Sequence, residues 1–160
     1  MTLQLSSDQV WQAIEKELFG VLGVVTENGE ARTVGIVYAA IGGKVYIATG
    51  KDTWKARHTR LNPHVSMTVT IPKRIPLMPF IKIPAATITF SGVATVQDAD
   101  QVEKSVVVAL LRGLADDEEL LATMCVIEVQ PKGEFITYGI GVPLMTMRHP
   151  EQARGRAPME

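Results

Sequence analysis

The chain has 160 residues, 46% hydrophobic and 21% charged, with a formal net charge of −1. That length suits one domain with a substantial core. So small a net charge excludes a general attraction to nucleic acid or to an anionic membrane surface, and any anion site must be local.

In chain order, Ser6-x-x-Gln9 has the form of a capping box, and Val10, Trp11, Ile14 and Leu18 then recur at helical spacing up to Gly20. The apolar run 21–25 predicts a strand, and Asn28-Gly29 a tight turn into a second strand from Ala31 to Ala40. Gly42-Gly43 marks another turn, and Lys44 to Thr49 completes a three-stranded meander. Asp52 or Thr53 can cap a short helix running to about Leu61, which Asn62-Pro63 ends. Val65, Met67, Val69 and Ile71 alternate with polar residues as in a half-buried strand.

Residues 72–84 hold four of the nine prolines, so neither a regular helix nor a central strand is expected there. The segment is also rich in apolar residues, including Ile75, Leu77, Met78, Phe80, Ile81 and Ile83, which suits a dimer contact or surface packing better than a lid over a ligand. A long strand follows, with Ile88, Phe90, Ala94 and Val96 on one face and Thr87, Thr89, Ser91 and Thr95 on the other. Asp98-x-x-Gln101 resembles a second capping box ahead of a stripe at Val102, Val106, Leu110 and Leu114, although the run Val106-Val107-Val108 disfavours helix. Asp116 to Glu119 read as an acidic helix start. Two more strands are expected near 124–129 and 134–140, and the tail from Pro143 to Glu160 shows no periodicity. About six strands in hairpin order favour a mainly β, antiparallel barrel spanning 1–160, with its core at about 8–142.

The lone Cys125 lies in an apolar run, so it reads as a buried small hydrophobe, and the absence of a partner suits a reducing compartment. The first residues lack a signal peptide's basic and apolar regions, and no apolar run approaches the ~18 residues of a membrane helix. A soluble cytoplasmic protein is expected. His58, His64 and His149 are scattered without metal-ligand spacing, so no metal site is expected, and no residue stands out as catalytic.

The strand-to-helix junction at 49–60 carries four of the sixteen Lys and Arg residues. Unpaired N–H groups and the positive dipole end at such a helix start suit a phosphate, with Thr49 and Thr53 as hydroxyl donors and Lys51 and Lys55 as charges. From composition alone, a basic solvated helix face reads equally well.

The order Thr49-x-x-x-Thr53-x-Lys55, then Asn62-Pro63-His64-Val65, preceded by Gly23-Val24-Val25-Thr26, the Asn28-Gly29 turn and Ala31-Arg32-Thr33-Val34, resembles the pyridoxamine 5′-phosphate oxidase-like FMN-binding split-barrel family over about residues 8–98. The resemblance implies a six-stranded antiparallel split barrel, dimeric, with FMN at the subunit interface. It places Arg32 at the phosphate or ribityl chain, Thr33 and Val34 beside the flavin ring, and Thr49, Thr53 and Lys55 at the phosphate. Trp54 stands where the family often has Arg, and Lys51 is the residue to compensate. True pyridoxamine phosphate oxidases carry a Lys at the position of Val37 and a spaced Arg-x-His, whereas Arg148-His149 is adjacent. The resemblance therefore implies a flavin-dependent oxidoreductase with another substrate. The alternatives are a non-enzymatic flavin carrier or sensor, an F420-dependent reductase drawing on Lys73, Arg74 and Lys82, and, more weakly, a haem-handling protein. Arg154 and Arg156 could reach a partner's flavin, or belong to a loose tail.

Overall fold

A computed structural model describes residues 3–75, 77, 80 and 83–159. Its nine strands form one sheet: β1 (Leu3–Gln4), β2 (Phe19–Val25), β3 (Ala31–Val37), β4 (Ala39–Ile41), β5 (Lys44–Gly50), β6 (His64–Ile71), β7 (Ala86–Asp98), β8 (Met124–Tyr138) and β9 (Arg154–Pro158). The helices are α1 (Ser7–Lys16), α2 (Trp54–Leu61), α3 (Lys104–Leu111), α4 (Glu118–Thr123) and α5 (Pro150–Ala153).

The sheet runs β1-β9-β8-β7-β6-β2-β3, with β5 on the same edge of β8 as β9 and β4 beyond it. Apart from the parallel β1–β9 pair, all its strand pairs are antiparallel. β8 serves both halves: residues 124–129 pair with β5 and residues 134–138 pair with β9, while β7 lies along the opposite edge. The chain passes directly from β3 to β4 at Tyr38, so the sheet curls round and leaves a seam between β3 and β5.

The expected strands at 124–129 and 134–140 are thus one strand with a bulge. Opposite Phe90, three residues of β8 (133–135) fill the space between the pairs Ser91–Lys132 and Thr89–Ile136. Gly133 takes φ +87, which side chains disfavour, and the bulge bends the strand from one partner to the other. Pro131, unable to donate, sits just before it.

The core is built from alternate residues of each strand, with Leu22, Val45, Ile47, Met67, Val69, Ile88, Ile127, Val129 and Phe135 fully buried. α1 adds Val10 and Ile14. Its capping box forms as expected: Gln9 N–H donates to Ser6 Oγ at 3.2 Å, and Ser6 N–H donates to Gln9 Oε1 at 3.0 Å. The helix stops at Lys16 instead of Gly20, because Phe19 and Gly20 are already paired with β3. Trp11 meets Phe135 edge-on at 5.4 Å, and Phe135 meets Phe90 likewise at 5.5 Å.

The single strand expected over 31–40 is broken at Tyr38. Its side chain turns inward and donates to the Ile14 carbonyl at 2.7 Å, while burial, helped by Glu17, pushes the phenol pKa far up. The helical stripe at 102–114 is divided: Asp98 makes no side-chain cap bond and heads a 3-10 turn, α3 covers only 104–111, and a second 3-10 turn follows. Asp117, not Asp116, caps α4, accepting from Leu120 N–H. The tail is not loose, since β9 pairs with β8 and β1, and Arg156 bonds Glu134. The dimer-contact reading of 72–84 rests partly on Met78 and Ile81, which lie outside the described residues. No helix among the described residues is long and apolar enough to cross a membrane.

At Gly133 an added Cβ would meet nothing within 4 Å, so only the backbone conformation resists substitution. Gly133→Ala should cost about 1–2 kcal/mol, read as a lower urea midpoint at unchanged slope.

Candidate functional site

β5 ends at Thr49 and Gly50, and α2 begins at Trp54 with Thr53 as its N-cap. The Thr53 hydroxyl donates to the Gly50 carbonyl (2.9 Å), accepts from Ala56 N–H (3.4 Å) and lies 3.2 Å from the Thr49 hydroxyl. Its single proton goes to Gly50, so Thr49 is the donor in that last contact. Thr49 is buried, and both hydroxyls are engaged in tying the strand end to the helix start. The N–H groups of Trp54 and Lys55, in the first turn, have no partner within the helix.

Arg32 projects from the edge strand β3 and is exposed. Its guanidinium lies over the Trp54 ring, 5.9 Å from the centroid, in cation-π range. Trp54 is half-buried against the core and tilted towards His58 at 6.2 Å. The aromatic ring at the start of α2 thus supports an arginine of β3. Lys55 is half-buried on the same first turn. Among the described residues neither Arg32 nor Lys55 has a carboxylate partner within salt-bridge distance.

Lys51 is arranged differently. Its ammonium lies 3.2 Å from Asp98, its N–H donates to Thr123 O, and its carbonyl accepts from Arg60. It braces the junction against the end of β7 and the end of α4. The sequence reading missed Asp98 and Arg60 as these braces, and Asp98 carried only a misleading capping signal.

Thr33 is exposed and Val34 half-buried on β3. Thr33 begins a cross-strand row, Thr33–Gly23–Ser66–Ser91, over the outer face of β3, β2, β6 and β7. A Cβ on Gly23 would stand 2.5 Å from Ser66 Oγ, so glycine is what lets Ser66 lie over β2. Beside this row lies a cleft of about 390 Å³ that reaches Arg32 and His64. The structure therefore gathers Arg32, Trp54 and Lys55, places Thr33 and Val34 along the adjoining strand, and engages the hydroxyls of Thr49 and Thr53 and the Lys51 ammonium in contacts within the protein. This arrangement can hold an anion. His58 is buried with Nδ1 unpartnered, and no group of three potential metal ligands occurs among the described residues.

Cys125 lies opposite Thr49 in the β5–β8 pairing, fully buried, with Sγ 3.9 Å from the Gly50 carbonyl. Burial pushes its thiol pKa up, more than the nearby Arg60 and Lys51 pull it down. The protonated thiol contributes stability that is complete below the unfolded thiol pKa of about 8.5 and is lost as pH rises above it. Native protein at pH 8 should react with a thiol reagent far more slowly than protein in denaturant, and Cys125→Ala should flatten the alkaline decline in stability.

No family model matches the chain, and no curated protein matches it. Solved structures do. A haem-binding protein from Mycobacterium smegmatis superposes with TM-score 0.69 at 15% identity over 96% of this chain, which spans 57% of that protein. A candidate pyridoxamine 5′-phosphate oxidase from Listeria innocua gives 0.59 at 19% identity, covering 79% of this chain and 94% of that one. An F420 reductase gives 0.54 at 20% identity, covering 78% and 93%. The chain has the pyridoxamine 5′-phosphate oxidase-like split-barrel fold.

Proposed function

We propose that this split barrel binds FMN across the β3–β5 seam and works as a flavin-dependent oxidoreductase in a homodimer. The observation that carries the reading is the junction itself: two cations without carboxylate partners among the described residues, Arg32 and Lys55, stand at a helix start whose Trp54 and Lys55 N–H groups have no partner within α2. That donor set fits a phosphate monoester. Arg32 and the first turn of α2 would hold the phosphate, and Thr33 and Val34 would lie beside the ring. Bound there, the flavin supplies hydride or electron transfer, and the protein's share is to bind and orient it. The exposed, uncharged Val37 argues against the phosphate-bearing substrate of a true pyridoxamine phosphate oxidase.

A second copy suits the outer face of β3, β2, β6 and β7. Thr33, Ser66 and Ser91 are small and uncharged there, Thr68 and Thr89 hydroxyls meet at 3.1 Å, and Phe19 and Val37 are 50% and 64% exposed. The cleft beside Arg32 opens on this same face, so a partner would complete its wall.

Titration of cofactor-free protein should show tight FMN binding and weak riboflavin binding. Arg32→Ala and Lys55→Ala should each weaken FMN about 10- to 100-fold, the loss of one charge-assisted hydrogen bond. Trp54→Ala keeps both charges and should lose less. Equal affinity for FMN and riboflavin would remove the phosphate site. Analytical ultracentrifugation should give a dimer, and Ser66→Arg on the proposed interface should shift it to monomer while weakening FMN.

A further inference from the structure

At the other end of β3 a second cavity, about 370 Å³, opens between the strand and the end of α3. Leu18, Val37, Ala48, Leu110, Leu111 and Met124 line it, and Arg112 is the one charged residue among the described residues that do so. Leu18 is 55% exposed, and Val37, 64% exposed, belongs both to the cavity lining and to the face proposed above for a second copy. The volume falls within the range of small-molecule pockets, which are mostly apolar with few polar groups fixing orientation.

Arg112 is held in an unusual way. It is the one non-glycine among the described residues with positive φ, at φ 50° and ψ −118°, a conformation glycine adopts freely. A glycine follows directly at 113, yet the strained position carries an exposed arginine that lines the cavity. Strain of this kind persists where surrounding structure enforces it, and clusters at ligand sites. Among the described residues Arg112 has no carboxylate partner within salt-bridge distance. The nearest cation in sequence, Lys104, is engaged by Asp116 and the Ala115 carbonyl. Among the described residues, one arginine without a carboxylate partner lining an otherwise uncharged cavity matches a ligand with one negative charge and an apolar body, not a phosphate dianion.

We propose that this cavity binds a small ring compound carrying a single carboxylate, its ring against Val37, Leu111 and Met124 and its carboxylate on Arg112. From Arg32 to Val37 the strand advances about 16 Å at roughly 3.3 Å per residue. Along β3 the cavity therefore lies at the far end from Arg32, with Thr33 and Val34 between, while on the β5 side its Ala48 and Met124 adjoin Thr49 and Gly50 of the junction. As the compartment for the molecule that meets the flavin, it rests on the FMN reading above; as a carboxylate site it stands on its own residues.

The probe is 2-naphthoate, with the uncharged 2-naphthalenemethanol as its partner, titrated by ligand fluorescence against the purified full chain. Naphthoate should bind at least about ten times more tightly than the alcohol. Arg112→Gln should bring the two together. Arg112→Gly should lose naphthoate equally while raising the melting temperature, because it relieves the positive φ; a purely structural arginine would not give that combination. Leu111→Ser should weaken both ligands. The double variant Arg32→Ala with Lys55→Ala should lose FMN and keep naphthoate. Naphthoate binding without FMN binding in the unaltered protein would leave this site standing and remove the flavin reading. Absence of naphthoate binding, equal affinity for acid and alcohol, indifference to Arg112→Gln, or loss of naphthoate in the Arg32/Lys55 variant would each overturn it.

Discussion

The architecture depends on the excess of residues in β8 opposite Phe90. An evenly paired strand of that length would present one straight edge to one neighbour. The bulge at 133–135 lets the first half bend towards β5 and the second towards β9, while β7 follows along the other edge. Gly133 makes the bend accessible to the backbone, and Phe135 inserts beside Phe90 to fix it in the core. Because β8 leads the sheet round to β5, the end of β5 comes to lie near β3, and the seam between them becomes a place where two distant segments can meet.

What meets there is governed by a division of labour among groups that looked alike. Two threonine hydroxyls and one lysine, plausible as ligand contacts, are occupied in holding strand end, turn and helix start together. Among the described residues, what stays without a partner at the junction is an exposed arginine on an edge strand, a lysine in the first helical turn and the first backbone N–H groups of α2. Trp54 connects them, since its ring is anchored by the core below and offers a face to Arg32 above. A guanidinium over an aromatic face gives up less freedom on meeting an anion than one free in solvent. The uncharged neighbourhood of Thr33, Gly23 and Ser66 leaves flat space along the strand, which a charged row would not.

Much of this was legible in the chain itself. The alternation at 65–71 and 87–96, the Ser6 capping box and the strand-to-helix junction all depend on residues close in sequence, where the local rules of pairing and capping act directly. An ordered motif singled out Arg32, Thr53 and Lys55, which the fold brings to one junction. The reading went astray where a distant partner decided the outcome. Tyr38 breaks the run 31–40 because a carbonyl on α1 accepts its hydroxyl. Asp98 looks like a cap and instead pairs with Lys51. Residues 154–158, without periodicity, become a strand because β8 offers them a free edge.

The sequence by itself determined the alternating strands, the capped helices, the mainly β class and the basic junction at the start of α2, since each follows from side-chain spacing and near-neighbour hydrogen bonding. Tertiary structure alone decided that Lys51 belongs to the frame, that Trp54 supports Arg32, that β8 is one bent strand, and that Arg112 stands over an apolar cavity. Those outcomes depend on which groups a curved sheet brings within a few ångströms of one another. A linear chain does not carry that information in any short window.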